Sequence, residues 1–335
     1  MKKISTIGVV GNGSMGKRRI YHSLLYGVEN ILCWDIREDR RNEIKNKFDI
    51  TILQSQEEFE GLELDALFIC VPPAEHLYYI ELAIKNNWNF MVENPVYHKY
   101  EPLQNIVKRL AETNLVANVS CNVRFLKSIK KIKESINNNL IGTVIGGVVE
   151  IGEFLPDWHP YEPYTDYYPS KIDMGGGLDA ICDLDWIVDI FGEIKQIKAI
   201  GNTKSKLNID TYDIIDYIVD FKNGPQIVLH SDMIQSPYAK SIKFFSELGT
   251  IKWEIHENKL WFYTRSNLEW REIKFKEEDL SFDNDITFTW AENMYKDDSF
   301  HFFKCLTNDA KPLNTISSNS KLLKKILNSL NYKLK

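Results

Sequence analysis

The sequence of 335 residues is short of several things that would decide its class at once. Its five cysteines, at 33, 70, 121, 182 and 305, are odd in number, widely spaced and without a CxxC pair, which argues against a disulfide framework or a zinc site. No His/Asp/Glu grouping has the spacing of a metal site. Basic residues are not in excess: 41 Lys and Arg face 47 Asp and Glu, a net charge of −6, so no cationic face is expected to hold nucleic acid. The densest basic cluster, Lys127 to Lys133, alternates with Ile129 and Ile132 and reads as a solvated helix face. No apolar run reaches the roughly 18 residues needed to span a membrane. A strand begins at Ile4, so no signal peptide is expected and the protein is assigned to the cytoplasm. Internal repeats and low-complexity linkers are missing too. What remains is an ordinary globular composition, 44% hydrophobic and 26% charged, with length enough for two cores.

The turn Gly11-Asn12-Gly13-Ser14-Met15-Gly16 organises the first part of the chain. Ahead of it runs the apolar, β-branched stretch from Ile4 to Val10. After it comes a helical pattern with Ile20, Leu24 and Leu25 on its apolar face, then a second strand ending on Asp35. Strand, glycine turn, helix, strand and an acid about twenty residues on form the dinucleotide fingerprint in its required context. Gly11 makes the tight turn, Gly13 lets backbone approach a pyrophosphate, and Gly16 lets helix pack on strand. The diphosphate is expected on the unpaired N–H groups and positive dipole of the helix start. Asp35 would accept the adenosine ribose hydroxyls, which favours NAD. Arg37, Arg40 and Arg41 lie near enough in sequence to keep NADP possible, with Arg40 the candidate contact.

Beyond Asp35 strands and helices alternate. Leu64–Val71 is a buried strand stopped by Pro72-Pro73, a helix spans 74–86, Trp88–Val92 is a strand ending on Glu93-Asn94-Pro95, a helix covers 101–112, and Leu115–Val119 is a strand. This alternation predicts an α/β fold whose first domain, residues 1–122, is a doubly wound parallel sheet. Ligands of such sheets bind at the carboxyl ends of strands. The candidate cofactor residues are therefore Gly11, Asn12, Gly13, Ser14, Met15, Asp35, Arg40, Cys70, Val71, Pro72, Pro73, His76, Glu93, Asn94 and Asn122. His76 alternatively reads as a surface histidine at a helix start. Cys33 and Cys70 read as space-filling.

From residue 123 the texture changes. A helix at 126–138 precedes strands at 144–154, 195–201, 213–221, 226–234, 242–246, 250–256 and 260–264, with Asn223-Gly224 and Glu257-Asn258 as turn signals. One long helical pattern, 179–191, interrupts them, and helices return at 291–306 and 316–332. Residues 123–335 are thus predicted to form an α+β domain with a large, mostly antiparallel open sheet. One face is expected to pack on a helix, the other to pair with a second subunit. His230 and His256 are placed on strands as sheet-face residues, and His301 on an amphipathic helix beside Phe302 and Phe303.

The order of these motifs resembles the Gfo/Idh/MocA family of nicotinamide-dependent oxidoreductases, which act mainly on sugars, polyols and nucleotide sugars. The resemblance is carried by Gly11–Gly16, Cys70-Val71-Pro72-Pro73 with His76, Glu93-Asn94-Pro95 and Asn122-Val123-Arg124-Phe125. Asp157-Trp158-His159-Pro160-Tyr161, Gly175-Gly176-Gly177, Glu247–Ile251 and Lys311-Pro312-Leu313 carry it further. It implies NAD or NADP as cofactor, a sugar or nucleotide-sugar substrate, and a homodimer or homotetramer assembled through the second sheet. The Trp-His-Pro-Tyr stretch looks like the branch found with bacterial surface-sugar biosynthesis. In the family a Glu-Lys-Pro motif supplies a lysine near the reacting hydroxyl; that position is Asn94 here. A helix after the triple glycine normally carries an aspartate and then a histidine; matched by pattern, these are Asp179 and Cys182. Asparagine orients a hydroxyl but takes no proton, and a cysteine acts as base only if its pKa of about 8.5 is lowered. The candidate catalytic residues are Asn94, Asp179, Cys182, Tyr168 and Lys171. The candidate substrate-binding residues are Arg124, Trp158, His159, Tyr161, Tyr168 and Asp179, with the tyrosines as the wall of a sugar pocket. Three functions fit: an oxidoreductase with an altered proton relay, a sugar-modifying enzyme using bound NAD only transiently, or a binder that has lost the chemistry.

Overall fold

β1 (Thr6–Val10) is the axis of the first unit, and every one of its residues after Thr6 is buried. The computed structural model describes residues 3–159, 162–275 and 291–330. After β1 come α1 (Ser14–Tyr26), β2 (Asn30–Trp34), α2 (Glu38–Lys47), β3 (Thr51–Ile52), β4 (Ala66–Ile69), α3 (His76–Lys85), β5 (Asn89–Val92), α4 (Tyr100–Ala111) and β6 (Ala117–Val119). The strands form one parallel sheet of order β3-β2-β1-β4-β5-β6. That is the doubly wound order, with the switch between β1 and β4. Strands covered by helices on both faces need no polar alternation, which is why β1 and β4 read as continuous apolar runs. β4 ends two residues before Val71, ahead of the prolines that cannot continue a ladder.

The second unit starts with α5 (Lys127–Asn137) and β7 (Val144–Gly152), continues through α6 (Ala180–Phe191), and then holds β8 (Ile194–Asn202), β9 (Ile214–Phe221), β10 (Gln226–Asp232), β11 (Ala239–Ser246), β12 (Gly249–Glu254), β13 (Lys259–Thr264) and β14 (Glu269–Ile273). Its sheet has the order β14-β13-β12-β11-β7-β10-β9-β8 and is antiparallel except where β10 runs parallel to β7. Asn223 and Asn258 adopt positive φ, 60° and 46°, at the turns their sequence signals marked. One face carries Tyr217, Val219, Leu229, Val149, Ile242 and Phe244, all buried, with Phe191 of α6 packed edge-on against Phe244. The strand register puts Ile200, Ile218, Val148, Phe245 and Trp270 together on the other face, where each is exposed. His256 lies in the turn after β12, not on a strand as predicted; the ladder ends at Glu254.

The chain then returns. α7 (Glu292–Leu306) belongs to the first unit, as do the first residues of α8 (Ile316–Ser329), whose remainder belongs to the second. A boundary at 122 alone therefore misassigns α7, because nothing local in its pattern reveals which core it joins. Phe302 and Phe303 complete the core of Ile7, Val9, Ile31, Phe68 and Met91, and Tyr26 stacks on Phe303. α7 also corrects the expected apolar face of α1. Ile20 is buried, but Leu24 and Leu25 are exposed, and the inward face carries Arg18, Arg19, His22 and Ser23. Those charges are tolerated because α7 supplies their partners: Arg18 Nε to Glu292 at 2.7 Å and Arg19 Nη2 to Asp298 at 2.9 Å.

Candidate active site

The glycine turn has the shape a dinucleotide needs. A Cβ on Gly11, whose φ is 83°, would lie 2.5 Å from the Cys70 carbonyl, and one on Gly16 would lie 1.8 Å from the Gly11 oxygen. Helix and strand thus approach too closely for any side chain. Gly13 is the N-cap of α1 and offers no side-chain acceptor, so the first N–H groups of the helix keep their capacity for an anion. Ser14 and Met15 open the helix, and the Ser14 hydroxyl accepts from Arg18. Asn12 is buried; its backbone N–H donates to Asp35 Oδ2 at 2.6 Å and its Oδ1 has no hydrogen-bond partner. Asp35 Oδ1 accepts from the Arg37 N–H at 2.8 Å. Each carboxylate oxygen has a second acceptor position, so Asp35 can still take ribose hydroxyls. Of the three arginines, Arg37 pairs with Asp39, Arg41 holds the Asp35 carbonyl, and Arg40, its Nη1 3.8 Å from Asp35 Oδ2, lies over the turn, 3.3 Å from where a Gly13 Cβ would stand. These residues fit NAD.

At the next strand end, Cys70 is partly buried beside Glu93, Sγ to Oε1 3.9 Å, and desolvation holds its thiol well above its usual range. Val71, Pro72 and Pro73 lead into a single 3-10 turn. His76 departs from both expectations. It is buried, with Nδ1 2.9 Å from the Val96 carbonyl and Nε2 2.8 Å from that of Val71. Both ring nitrogens face backbone carbonyls; burial disfavours the charged ring, so the neutral imidazole donates to one of them and ties that loop. Glu93 Oε1 accepts from Arg19 Nε at 2.8 Å. Asn94, which precedes a cis proline, accepts from Asn319 through Oδ1 at 3.1 Å, and its Nδ2 is buried without a partner. An orphaned donor at the end of β5 can hold a hydroxyl or carbonyl oxygen and has no means of accepting a proton. Asn122 opens the 3-10 turn in which Arg124 Nη1 donates to the Leu313 carbonyl at 3.0 Å.

The second unit gathers a different set. Tyr168 Oη donates to Asp179 Oδ1 at 2.5 Å, and Asp179 Oδ2 is buried without a partner. Burial pushes the Asp179 carboxyl up to about 6 against the opposing Tyr168 hydrogen bond. Asp179 is the N-cap of α6, so Cys182 and Asp183 follow one turn later on the same side. Cys182 as proton acceptor is corrected: burial, then the charges of Asp179, Asp183 and Asp185, push its thiol well above the ordinary range, and it stays protonated. Lys171 accepts from the Gly176 N–H at 2.8 Å through its carbonyl, tying the tyrosine segment to the triple glycine. His159 stacks on Tyr167 at 4.3 Å, and Trp158 Nε1 is buried with no hydrogen-bond partner. Tyr161 lies outside the described residues.

Two groups here escaped the sequence reading. Lys240, on β11, is buried and donates to Asp183 Oδ1 at 2.7 Å, which also accepts from Trp186 Nε1 at 2.9 Å. Burial opposes its charge, but Asp183 outweighs it and the ammonium is held charged. The signal was available: Lys240, Ile242 and Phe244 alternate, so a lysine stands at an inward position. Glu153 follows β7, and burial, then the nearby charge of Asp157, push its carboxyl up to about 7.

Residues 5–121 match the family described as "Oxidoreductase family, NAD-binding Rossmann fold". That stretch is thus a Rossmann domain of the Gfo/Idh/MocA oxidoreductase type. A myo-inositol 2-dehydrogenase of Thermotoga maritima is 26% identical over 259 residues, 73% of this chain and 74% of that protein. Among solved structures, a UDP-N-acetylglucosamine 3-dehydrogenase from Acidithiobacillus ferrooxidans superposes with a TM-score of 0.78 at 16% identity over 100% of both chains. A levoglucosan dehydrogenase bound to NADH and levoglucosan superposes with a TM-score of 0.83 at 14% identity over 98% of both. At these identities the structures show the shared fold alone: a six-stranded parallel Rossmann sheet and a mostly antiparallel eight-stranded one. NAD is the cofactor of that Rossmann domain.

Proposed function

We propose that the protein is a Gfo/Idh/MocA-type NAD(P)-dependent oxidoreductase that transfers a hydride at a secondary alcohol or ketone of a sugar or nucleotide sugar, in the cytoplasm, within surface-carbohydrate biosynthesis. The observation that carries the reading is the complete dinucleotide cradle of the first unit; Asp179 of the second, with a buried Oδ2 and its Oδ1 held by Tyr168, supports it. Relatives and structural neighbours that act on inositol, levoglucosan and a UDP-sugar support the substrate class.

NAD, when bound, supplies the hydride acceptor. The α1 N-terminus, Gly13 and Asp35 would hold it, with Arg40 as the contact that would admit NADP. The chain's own part is to orient the hydroxyl and move its proton. Asn94 stands where the family pattern has lysine and offers only a donor, so it orients. Asp179 Oδ2 accepts the substrate hydroxyl while Tyr168 fixes the carboxylate. Trp158 and the His159–Tyr167 stack supply ring surface for a sugar. The exposed apolar face of Ile200, Ile218, Val148, Phe245 and Trp270 supports a homodimer or homotetramer built on the second sheet.

Calorimetric titration with NADH and NADPH, followed by a deuteride-transfer screen over UDP-N-acetylglucosamine, myo-inositol and levoglucosan, tests the reading. Micromolar binding with label transferred to or from one of these sugars is expected. Failure of both dinucleotides to bind the nucleotide-stripped protein overturns it. Light scattering at several concentrations tests the oligomer, and a monomer throughout refutes the sheet interface.

A further inference from the structure

Asn94 follows β5 at the carboxyl end of the parallel sheet, where ligands of such sheets bind. As the group that orients the substrate, it has a difficulty: an amide has two unlike ends. The oxygen it orients is a hydroxyl on one side of the reaction and a carbonyl on the other. A carbonyl only accepts, so an N–H answers both states, whereas the amide oxygen answers the hydroxyl alone. An amide free to rotate would present the wrong end part of the time. Something has to hold it.

The start of α8 supplies the hold. Ahead of the helix, the Asn314 carbonyl accepts from the Val119 N–H at 3.0 Å and Thr315 bridges Asn118, so the chain lies along the edge of β6. Thr315 and Ser318 then cap the helix reciprocally, Thr315 N–H to Ser318 Oγ at 2.8 Å and Ser318 N–H to Thr315 Oγ1 at 3.1 Å. The first turn is thereby fixed to the sheet. It carries Asn319, which belongs with Asn94 to the first unit and is 1% exposed. Asn319 Nδ2 donates to Asn94 Oδ1 at 3.1 Å, and Asn319 Oδ1 is buried without a partner. An amide buried with one end unanswered costs stability that an apolar side chain of that size would not, so packing does not account for an asparagine here. Its one evident effect is on Asn94: the bond occupies Oδ1 and leaves Nδ2 as the end without a partner. We propose that Asn319 is a positioning residue, turning the Asn94 amide so that Nδ2 rather than Oδ1 meets the reacting oxygen.

This rests on the oxidoreductase reading above. Asn319 acts only through Asn94, and neither amide gains or loses a proton. The Asn94 N–H steadies the oxygen while the hydroxyl becomes a carbonyl, and accepting at Oδ1 polarises the amide so that this N–H donates more strongly.

The deciding experiment is a double-mutant cycle in the full chain, read with whichever of the three sugars above the wild type oxidises. Asn319→Leu keeps the size of the side chain and removes the donor. It should cut kcat roughly tenfold, change KM less than about threefold and leave calorimetric NADH affinity where it was. In an Asn94→Ala background the same substitution should cost under about twofold in kcat, because the group through which Asn319 acts is gone. Equal losses in the two backgrounds refute the proposal, since Asn319 then serves the fold and not Asn94. An Asn319→Leu enzyme within about twofold of the wild-type kcat refutes it too. If leucine prevents folding, Asn319→Ser, too short to reach the Asn94 oxygen, carries the same cycle. A wild type that binds NADH yet oxidises none of the sugars brings down the functional reading and this role with it, whereas an active enzyme with additive losses brings down this role alone.

Discussion

Replacing Arg19 by methionine tests whether the first unit is held by charge as much as by its apolar core. Arg19 is wholly buried and donates to Glu93 Oε1 and Ser299 Oγ at 2.8 Å, to Ser120 Oγ and Asp298 Oδ2 at 2.9 Å, and to the Tyr295 carbonyl at 3.3 Å. Methionine matches the length of the stem beside Phe68 and removes the only cation facing Glu93 and Asp298 in the salt bridges of the described residues, leaving Asp298 Oδ2 with the Ser120 hydroxyl alone. Asp298 is fully buried, so its carboxylate would face the interior with no cation. Breaking a buried pair by removing one partner costs ~3–5 kcal/mol. We expect Arg19→Met to fall in that range in urea unfolding followed by far-ultraviolet circular dichroism, with the slope unchanged. The pH dependence has a definite sign. Burial already raises Asp298, Arg19 being what lowers it, so without Arg19 the folded pKa rises further above the unfolded value. The deficit is then largest at pH 8 and shrinks as pH falls through that pKa. Arg19→Met with Glu93→Gln and Asp298→Asn removes the stranded charges and should recover half or more of the loss. A single-variant cost under about 1 kcal/mol, or a triple variant no more stable than the single, would refute the argument.

Asp179→Asn should stabilise the protein above pH 6 while abolishing turnover, because the folded pKa of about 6 lies above the unfolded value and the carboxylate's contribution to stability is lost as pH rises through it. Equal stability of variant and wild type at pH 7.5 in thermal unfolding would contradict this. Cys182→Ala should leave the pH profile of kcat/KM unchanged, since the thiol titrates above the working range; a lost or shifted limb would return Cys182 to the proton path. Arg40→Ala should weaken NADPH about tenfold and NADH under about threefold by calorimetry, and equal losses would place Arg40 outside the discrimination. Gly16→Ala should prevent dinucleotide binding or folding altogether, given the 1.8 Å approach of its Cβ to the Gly11 oxygen. A soluble variant with normal NADH affinity would show that the turn is not packed as described.

Much of this protein is determined by local sequence. The glycine turn, Asp35, the Pro72-Pro73 stop and the Asn-bearing hairpin turns each impose a backbone conformation through residues that have few alternatives, and the strand order follows from alternation and crossover handedness. Asp179 and Tyr168 were candidates from their positions alone, and the fold puts them 2.5 Å apart. Other features were decided only by tertiary structure. The inward face of α1 is charged because α7, some 270 residues later, brings Glu292 to Arg18. His76 is buried between the carbonyls of Val71 and Val96, the second brought to it by the fold. Lys240 carries no motif; its significance comes from β11 lying beneath α6. A short-range pattern determines what a segment must be, whereas the state of an ionisable group depends on which charges and how little water surround it, and those neighbours come from elsewhere in the chain.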